Sequence, residues 1–378
     1  MKICLVNSFY PPYIGGAETY VASLAHALAR RGHEVTVYCS DRPLKAGESF
    51  VDRVKVIRMR TPFTFYGTPM VVFPPSFFSR DYDVIHANFP SPYLAAFAAF
   101  VSKVRDIPSV LTWHNDLPPV TSFAGVLVSM HDKIAPSYLN VYDRIIATTG
   151  VYAKRSEILR RSAEKVTVIR NGVDTKRFNT FVSGDRVREM HHLTGKKVVL
   201  FVGALTTWHA YKGVDVLLNA FSLVVKKSAD SSLLVVGGGN MLGYYKKMAL
   251  DLGVSDRVMF AGRVDDDSLP EYYAACDLCV LPSKDSSEGF GLVLVEAMAC
   301  GKAVIGSRVG GIVDVIKDRE NGLIVPPGDV GALSSAMLSL LEDDGLRSTM
   351  GNAGRSFAES NDWDRVAERV ETVYHEIL

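Results

Sequence analysis

Short apolar runs alternate with helical patterns along nearly the whole chain, and this alternation restricts the fold more than any other feature. The runs read as strands at Lys2–Asn7, Val35–Ser40, Val54–Arg58, Asp83–Asn88, Ser109–His114, Arg144–Thr149 and Val166–Arg170. Between the first two, Val21, Leu24, Ala25 and Leu28 fall at i, i+3, i+4 and i+7, one face of a helix that Gly32 ends. Strands that are apolar throughout and joined by helices indicate a parallel sheet covered on both faces. The pattern then restarts, with strands at Lys197–Val202, Leu233–Val236, Val258–Ala261, Leu278–Pro282, Ala303–Gly306 and Leu323–Val325. Two doubly wound α/β domains fit this better than one very large sheet, and 378 residues suffice for about two domains of ordinary size. Periodicity lapses between Asn171 and Arg186, which divides a first domain over residues 1–178 from a second over 179–357. A last helix over about 358–378 is expected to pack back on the first domain. Open α/β sheets bind ligands beyond the carboxyl ends of their strands, so a cleft between the domains is where chemistry is expected.

Composition removes several classes of function. Apolar residues at 48% and charged residues at 22% describe a soluble globular protein. A formal charge of +1 gives no electrostatic case for nucleic acid binding. Met1 leads directly into a strand, without the basic and apolar regions of a secretion signal, so a cytoplasmic protein is expected. The longest apolar stretch, Tyr93 to Val101, is about half of what a bilayer span needs. Of five cysteines only Cys276 and Cys279 form a C-x-x-C, and without a second pair or nearby histidines they read as core residues beside a strand, a redox or zinc pair being the other reading.

Three glycine turns lie where this architecture holds ligands. Gly15-Gly16 follows the first strand; its N–H groups and the positive helix end suit a phosphate, but a plain strand-to-helix connection fits equally. Gly237-Gly238-Gly239 fails the dinucleotide fingerprint, because the third required glycine is Leu242, and it reads as a tight turn. The third turn, "SSEGFG", leads into a helix near Gly291 or Leu292, and Gly289 and Gly291 let its backbone approach a ligand closely. Glu288 and Glu296 flank it. On one helix they would lie roughly 80° and about 12 Å apart; with Glu288 in the loop they can address two points of one extended ligand.

Glu288 to Glu296, "EGFGLVLVE", resembles the E-x7-E motif of retaining glycosyltransferases of the family 4 type, which have the GT-B fold of two Rossmann-like domains around a cleft. "PPYIGGAETYVASLAHALARRGHEVTV", "VIRNGVDTKRF" and "YKGVDVLLNAF" resemble further landmarks of that family in the same order, so the resemblance spans nearly the whole chain. It implies transfer of a hexosyl group from a nucleoside-diphosphate sugar to an acceptor hydroxyl, with no metal and no other cofactor. Glu288 would bind donor-sugar hydroxyls and Glu296 the ribose hydroxyls, a task that suits a carboxylate; taken alone, Glu296 reads as a helix residue in a local ion pair. N–H groups around Phe290, Gly291 and Leu292 would meet the diphosphate, and Lys212 would stabilise its departure. The family's usual arginine before that lysine is absent, since Gly203-Ala204-Leu205 stands there; His209 is a candidate replacement, a surface histidine being the alternative. Arg263 would lie beside the base or be a solvated turn residue. His114, at a strand end, would sit near sugar and acceptor, a satisfied core histidine being the alternative, with Asp116 orienting it or capping the next turn.

Asp81-Tyr82-Asp83 precedes its strand and reads as a turn rather than a metal motif, and Asp265-Asp266-Asp267 as a cap for the helix that follows. The aromatic stretch Thr61 to Arg80, expected as a loop or irregular helix, and a basic helix over Ala153 to Lys165 suggest peripheral contact with an anionic membrane and a polyprenyl- or lipid-linked acceptor. A buried excursion and a solvated basic face are the alternative. Two other functions fit the same fold: a nucleotide-sugar 2-epimerase and a catalytically silent sugar-nucleotide binding module.

Overall fold

The structure, a computed structural model, describes residues 1–13, 15–65, 67–79, 81–117 and 122–378. It divides into two compact units, residues 1–172 with 363–378, and residues 173–362.

The first unit contains β1 (Lys2–Val6), β2 (Glu34–Ser40), β3 (Gly47–Val51), β4 (Val54–Met59), a separate hairpin of β5 (Phe63–Phe65) and β6 (Thr68–Met70), then β7 (Val84–Phe89), β8 (Ser109–Trp113), β9 (Arg144–Ala147) and β10 (Val166–Val168). Its main sheet has the order β10-β9-β8-β7-β1-β2-β4-β3, parallel except for β3 against β4. Strands β7 and β8 are buried along their whole length, which is why they read as strands from apolar content. β3 escaped that pattern because it is an edge strand with mostly exposed residues. Helix Gly16–Arg30 buries Tyr20, Val21, Leu24, Ala25 and Leu28, the face its spacing predicts. It stops where Gly32, at φ +92°, lets its own N–H reach Ala29 and that of His33 reach Leu28.

The last helix, Trp363–Ile377, belongs to this unit. Trp363, Val366, Val370 and Tyr374 join its core, and Asp364 and Glu371 pair with Arg30 and Arg31 at 2.6 and 2.5 Å. The unit boundaries at 172 and 363 differ from the 178 and 358 that the lapse in periodicity suggested. The reason is local: Val173 N–H bonds Asn361 at 3.0 Å, and Phe178 is buried in the second core against Tyr273.

The second unit holds β11 (Lys197–Val202), β12 (Ser231–Val236), β13 (Val258–Gly262), β14 (Leu278–Leu281), β15 (Ala303–Ser307) and β16 (Leu323–Val325). Their order is β13-β12-β11-β14-β15-β16, all parallel. Strand order reverses at β11, so the carboxyl ends of β11 and β14 flank the point where such sheets bind ligands.

Two local expectations are corrected. Thr61 to Arg80 forms the β5–β6 hairpin and a short helix, Pro75–Ser79, with Tyr66 and Arg80 outside the described residues. Ala153 to Lys165 is not one helix but parts of Gly150–Arg155 and Glu157–Arg160 and a 3-10 turn, Ala163–Lys165. Ser156 makes the break, because its extended backbone ends one helix while its hydroxyl accepts the Leu159 N–H of the next. Among the described residues no helix is long and apolar enough to cross a membrane.

Candidate active site

β14 ends at Leu281, and helix Leu292–Ala299 starts after Gly291, whose φ of +82° turns the chain into it. Glu288 therefore lies in the loop and Glu296 on the helix. Glu288 folds back on the helix start. Its Oε1 accepts the Gly291 N–H at 3.1 Å, and its Oε2 accepts Lys212 Nζ at 2.7 Å and the Ser283 hydroxyl at 3.5 Å. The unpaired N–H groups and positive end of a helix favour a carboxylate there. One N–H expected to face a diphosphate is thus held by Glu288 in this structure.

Lys212 closes the 3-10 turn Thr207–Lys212 that follows β11. Burial opposes its ammonium, but the Glu288 carboxylate and Tyr211 outweigh burial, and its pKa is raised. Gly203 leaves the space for this side chain, since a Cβ there would lie 3.1 Å from Lys212 Cδ. His209, on the same turn, meets the Thr206 hydroxyl through Nδ1 at 2.7 Å. Burial and then the Lys212 charge lower its pKa against the pull of Glu288. Phe290 is buried.

Glu296 Oε2 accepts the Tyr273 hydroxyl at 2.6 Å, so its partner is a tyrosine rather than a local ion pair. Burial pushes its pKa up to about 7, against the Tyr273 bond and the Arg177 charge. Arg263, just past β13, is exposed and makes no hydrogen bond or ion pair among the described residues. The Gly237–Gly239 turn is tight for a reason of contact: at Gly237, with φ +141°, a Cβ would lie 1.8 Å from the Gly203 carbonyl oxygen.

The first unit carries the other predicted residues. His114 follows β8, is 9% exposed, and sets Nε2 3.2 Å from Asn88 Oδ1 with its ring edge-on to Tyr20 at 4.7 Å. Burial pushes its pKa down to about 3, so the ring is neutral. Gly15 precedes helix Gly16–Arg30, and the Glu18 carboxylate folds over it, with Oε2 2.3 Å from where a Gly15 Cβ would be. Burial raises the pKa of Glu18.

Family models match both units, the one described as Glycosyltransferase Family 4 over residues 14–177 and Glycosyl transferases group 1 over 185–357. An uncharacterized glycosyltransferase of Methanocaldococcus jannaschii is 30% identical, over 99% of this chain and 98% of its own. The chain belongs to the family 4 glycosyltransferases. This glycosyltransferase is also similar to the phosphatidyl-myo-inositol mannosyltransferase of Mycobacterium tuberculosis, at 30% identity over 100% of this chain and 97% of that one. Its fold, with two Rossmann-like units as in GT-B enzymes, matches sucrose-phosphate synthase from Thermosynechococcus elongatus with a TM-score of 0.78 at 25% identity, covering 99% and 98% of the two chains.

Several details of the glycosyltransferase differ from the sequence-based expectation. Asp116 does not orient His114, because its carboxylate accepts Trp113 Nε1 and the Ser156 hydroxyl at 3.0 and 2.9 Å; Asn88 holds the ring instead. None of Asp265, Asp266 and Asp267 caps a helix through its side chain, since the backbone bond from Ser268 to Asp265 closes the turn and leaves the carboxylates exposed. Asp83 accepts the Lys2 N–H at 2.6 Å, which ties the segment before β7 to the start of β1. All five cysteines are buried, and among the described residues none forms a disulfide. Gly310 and Gly311, after β15, went unnoticed although they shape the Glu288 loop. The Gly311 N–H donates to the Glu288 carbonyl at 3.0 Å, and Cβ atoms on the two glycines would lie 2.0 and 2.1 Å from the Glu288 and Gly289 oxygens. The available signal was a Gly-Gly pair after an apolar strand, the same signal as Gly15-Gly16.

Proposed function

We propose that this glycosyltransferase moves a hexosyl group, with mannosyl the first to test, from a nucleoside-diphosphate sugar to a hydroxyl of a lipid-linked or cell-surface glycan, with retained anomeric configuration. The observation that carries this is the contact of the buried Lys212 ammonium, the Glu288 carboxylate and the Gly291 N–H at one helix start. Glu288 holds donor-sugar hydroxyls, Glu296 the ribose diol, and Lys212 with the N–H groups of Gly289, Phe290 and Leu292 the diphosphate, joined by the Gly291 N–H once Glu288 turns from it to the sugar. His209 adds a phosphate contact and Arg263 one to the base. In the first unit His114 serves the sugar and acceptor, and Gly15-Gly16 a phosphate once the Glu18 carboxylate has moved aside or taken a proton.

The acceptor oxygen attacks the anomeric carbon while the bond from that carbon to the diphosphate breaks. The diphosphate leaves with the bonding pair, and its departing oxygen takes the acceptor proton on the same face. This path does without the carboxylate pair that a double displacement requires. In this mechanism the departing charge falls to Lys212 and the helix-start N–H groups without a metal. The mannosyl and lipid choices rest on the name of the mycobacterial relative. Peripheral contact with an anionic membrane at its cytoplasmic face is part of the proposal. It is supported by Phe63, Phe65, Val126, Met130 and Ile134, which are exposed, and by the exposed Arg160 and Arg161.

The test is incubation with GDP-mannose or UDP-hexoses and a bacterial lipid extract, with release of nucleoside diphosphate and the anomeric configuration of the product measured by NMR. A retained linkage is expected. An inverted product, a free 2-epimer, or no diphosphate release with any acceptor overturns the proposal.

A further inference from the structure

Glu296 is held from a second element. Tyr273 lies on helix Leu269–Ala275, is wholly buried, and packs its ring edge-on to Phe178 at 5.7 Å. Burial raises its pKa well above the ordinary phenol value, so the hydroxyl keeps its proton and acts on the Glu296 carboxylate as a donor. That bond, at 2.6 Å, is the one hydrogen bond Glu296 makes through its side chain among the described residues, and it falls on Oε2. Oε1 and the second lone pair of Oε2 remain for a ligand diol.

We propose that Tyr273 is a positioning residue for the donor nucleotide, its hydroxyl fixing the Glu296 carboxylate in the rotamer and the ionised form that accept a ribose diol. This rests on the reading of Glu296 as the ribose ligand. The charged groups that bear on the carboxylate act in opposite senses. Arg177 favours the ionised form and Asp266 opposes it. The thiols of Cys279 and Cys300 next to it are held neutral by burial. Desolvation is the largest influence and acts towards protonation, and the Tyr273 bond is the first that acts against it. Without the hydroxyl the carboxylate protonates at a higher pH and loses a fixed rotamer.

The test is calorimetric titration of UDP, GDP, ADP and dTDP into wild type, Tyr273→Phe, Glu296→Gln and the double variant between pH 6 and 9, each checked by thermal melting. For the nucleotide that wild type binds, Tyr273→Phe should bind about tenfold more weakly at neutral pH. Its affinity should recover towards alkaline pH, with the midpoint displaced upward from that of wild type. In the Glu296→Gln background the same change should have no further effect. Turnover at saturating donor should be nearly unchanged, because only donor binding passes through this pair. If Glu296→Gln weakens binding but Tyr273→Phe matches wild type at every pH, or if the two effects simply add, the positioning role is wrong while the ribose assignment stands. If Glu296→Gln binds as wild type, the ribose assignment itself fails and takes the positioning role with it.

Discussion

Lys212 and Glu288 are 76 residues apart in the chain and meet at 2.7 Å, with 14% and 9% of their side chains exposed. Two loops at the carboxyl ends of neighbouring strands β11 and β14 bring them together, and each charge depends on the other for its burial. Removing one partner of such a pair typically costs about 3 kcal/mol or more, because the other is left buried and unpaired. Lys212→Ala should therefore lower stability by about that amount and, as the cation facing the departing diphosphate, lower kcat by about a hundredfold. Denaturant unfolding together with diphosphate release checks both effects, and a variant that turns over like wild type contradicts the assignment.

The Glu288 loop rests on Gly310 and Gly311. A Cβ on Gly311 would lie 2.1 Å from the Gly289 oxygen, so the loop must shift in Gly311→Ala. The expected outcome is a loss of donor affinity of about tenfold with a smaller loss of melting temperature, because the displaced segment is the ligand-facing loop and not the β-sheet core. Equal donor affinity in the two proteins would show that the glycine pair serves packing alone.

Two buried histidines make the first unit sensitive to acid. His86 sits between the Tyr374 hydroxyl, 2.6 Å from Nδ1, and Thr112, 2.7 Å from Nε2. Burial pushes the pKa of both His86 and His114 down to about 3. An unfolded histidine titrates near 6.5. Between those values the unfolded chain binds more protons than the folded one, so stability is full above about pH 6.5 and falls as pH drops towards 3. The slope is about 1 kcal/mol per pH unit for each histidine. Melting curves from pH 7.5 to pH 5 should fall less steeply for His86→Gln than for wild type, whatever the starting stability of the variant.

The membrane contact has a specific surface to test. Val126, Met130 and Ile134, at i, i+4 and i+8 of helix Ser122–Leu139, are 56%, 54% and 58% exposed. Met130→Asp with Ile134→Asp should leave melting nearly unchanged and reduce sedimentation with vesicles containing phosphatidylglycerol. Binding that is unaffected by this pair, or equal on neutral vesicles, speaks against an anionic bilayer on this face.

The alternation of buried strands and amphipathic helices was legible because parallel strands covered on both faces need apolar side chains on both faces, as at Val198, Val199, Leu200, Phe201 and Val202. The strands β3 and β5 were not, because their exposed residues obey no such demand. At the candidate site, Glu288, Glu296 and Lys212 stood out by motif. The groups that hold candidate residues in place did not, because nothing local marks them. Tyr273 reaches Glu296 across 23 positions, and Asn88 reaches His114 across 26, each as an ordinary residue of its own element. Glu288 spending both oxygens inside the protein was likewise invisible, since it follows from how the 3-10 turn after β11 aims Lys212.

The central claim is that the Lys212–Glu288 cluster receives a sugar nucleotide, and the most direct measurement is calorimetric titration of UDP-, GDP-, ADP- and dTDP-hexoses into wild type and Glu288→Ala. One nucleotide class should bind folded wild type, and the same ligand should bind folded Glu288→Ala at least about tenfold more weakly. No binding to folded wild type at millimolar concentration, or equal binding to both proteins, would contradict the account.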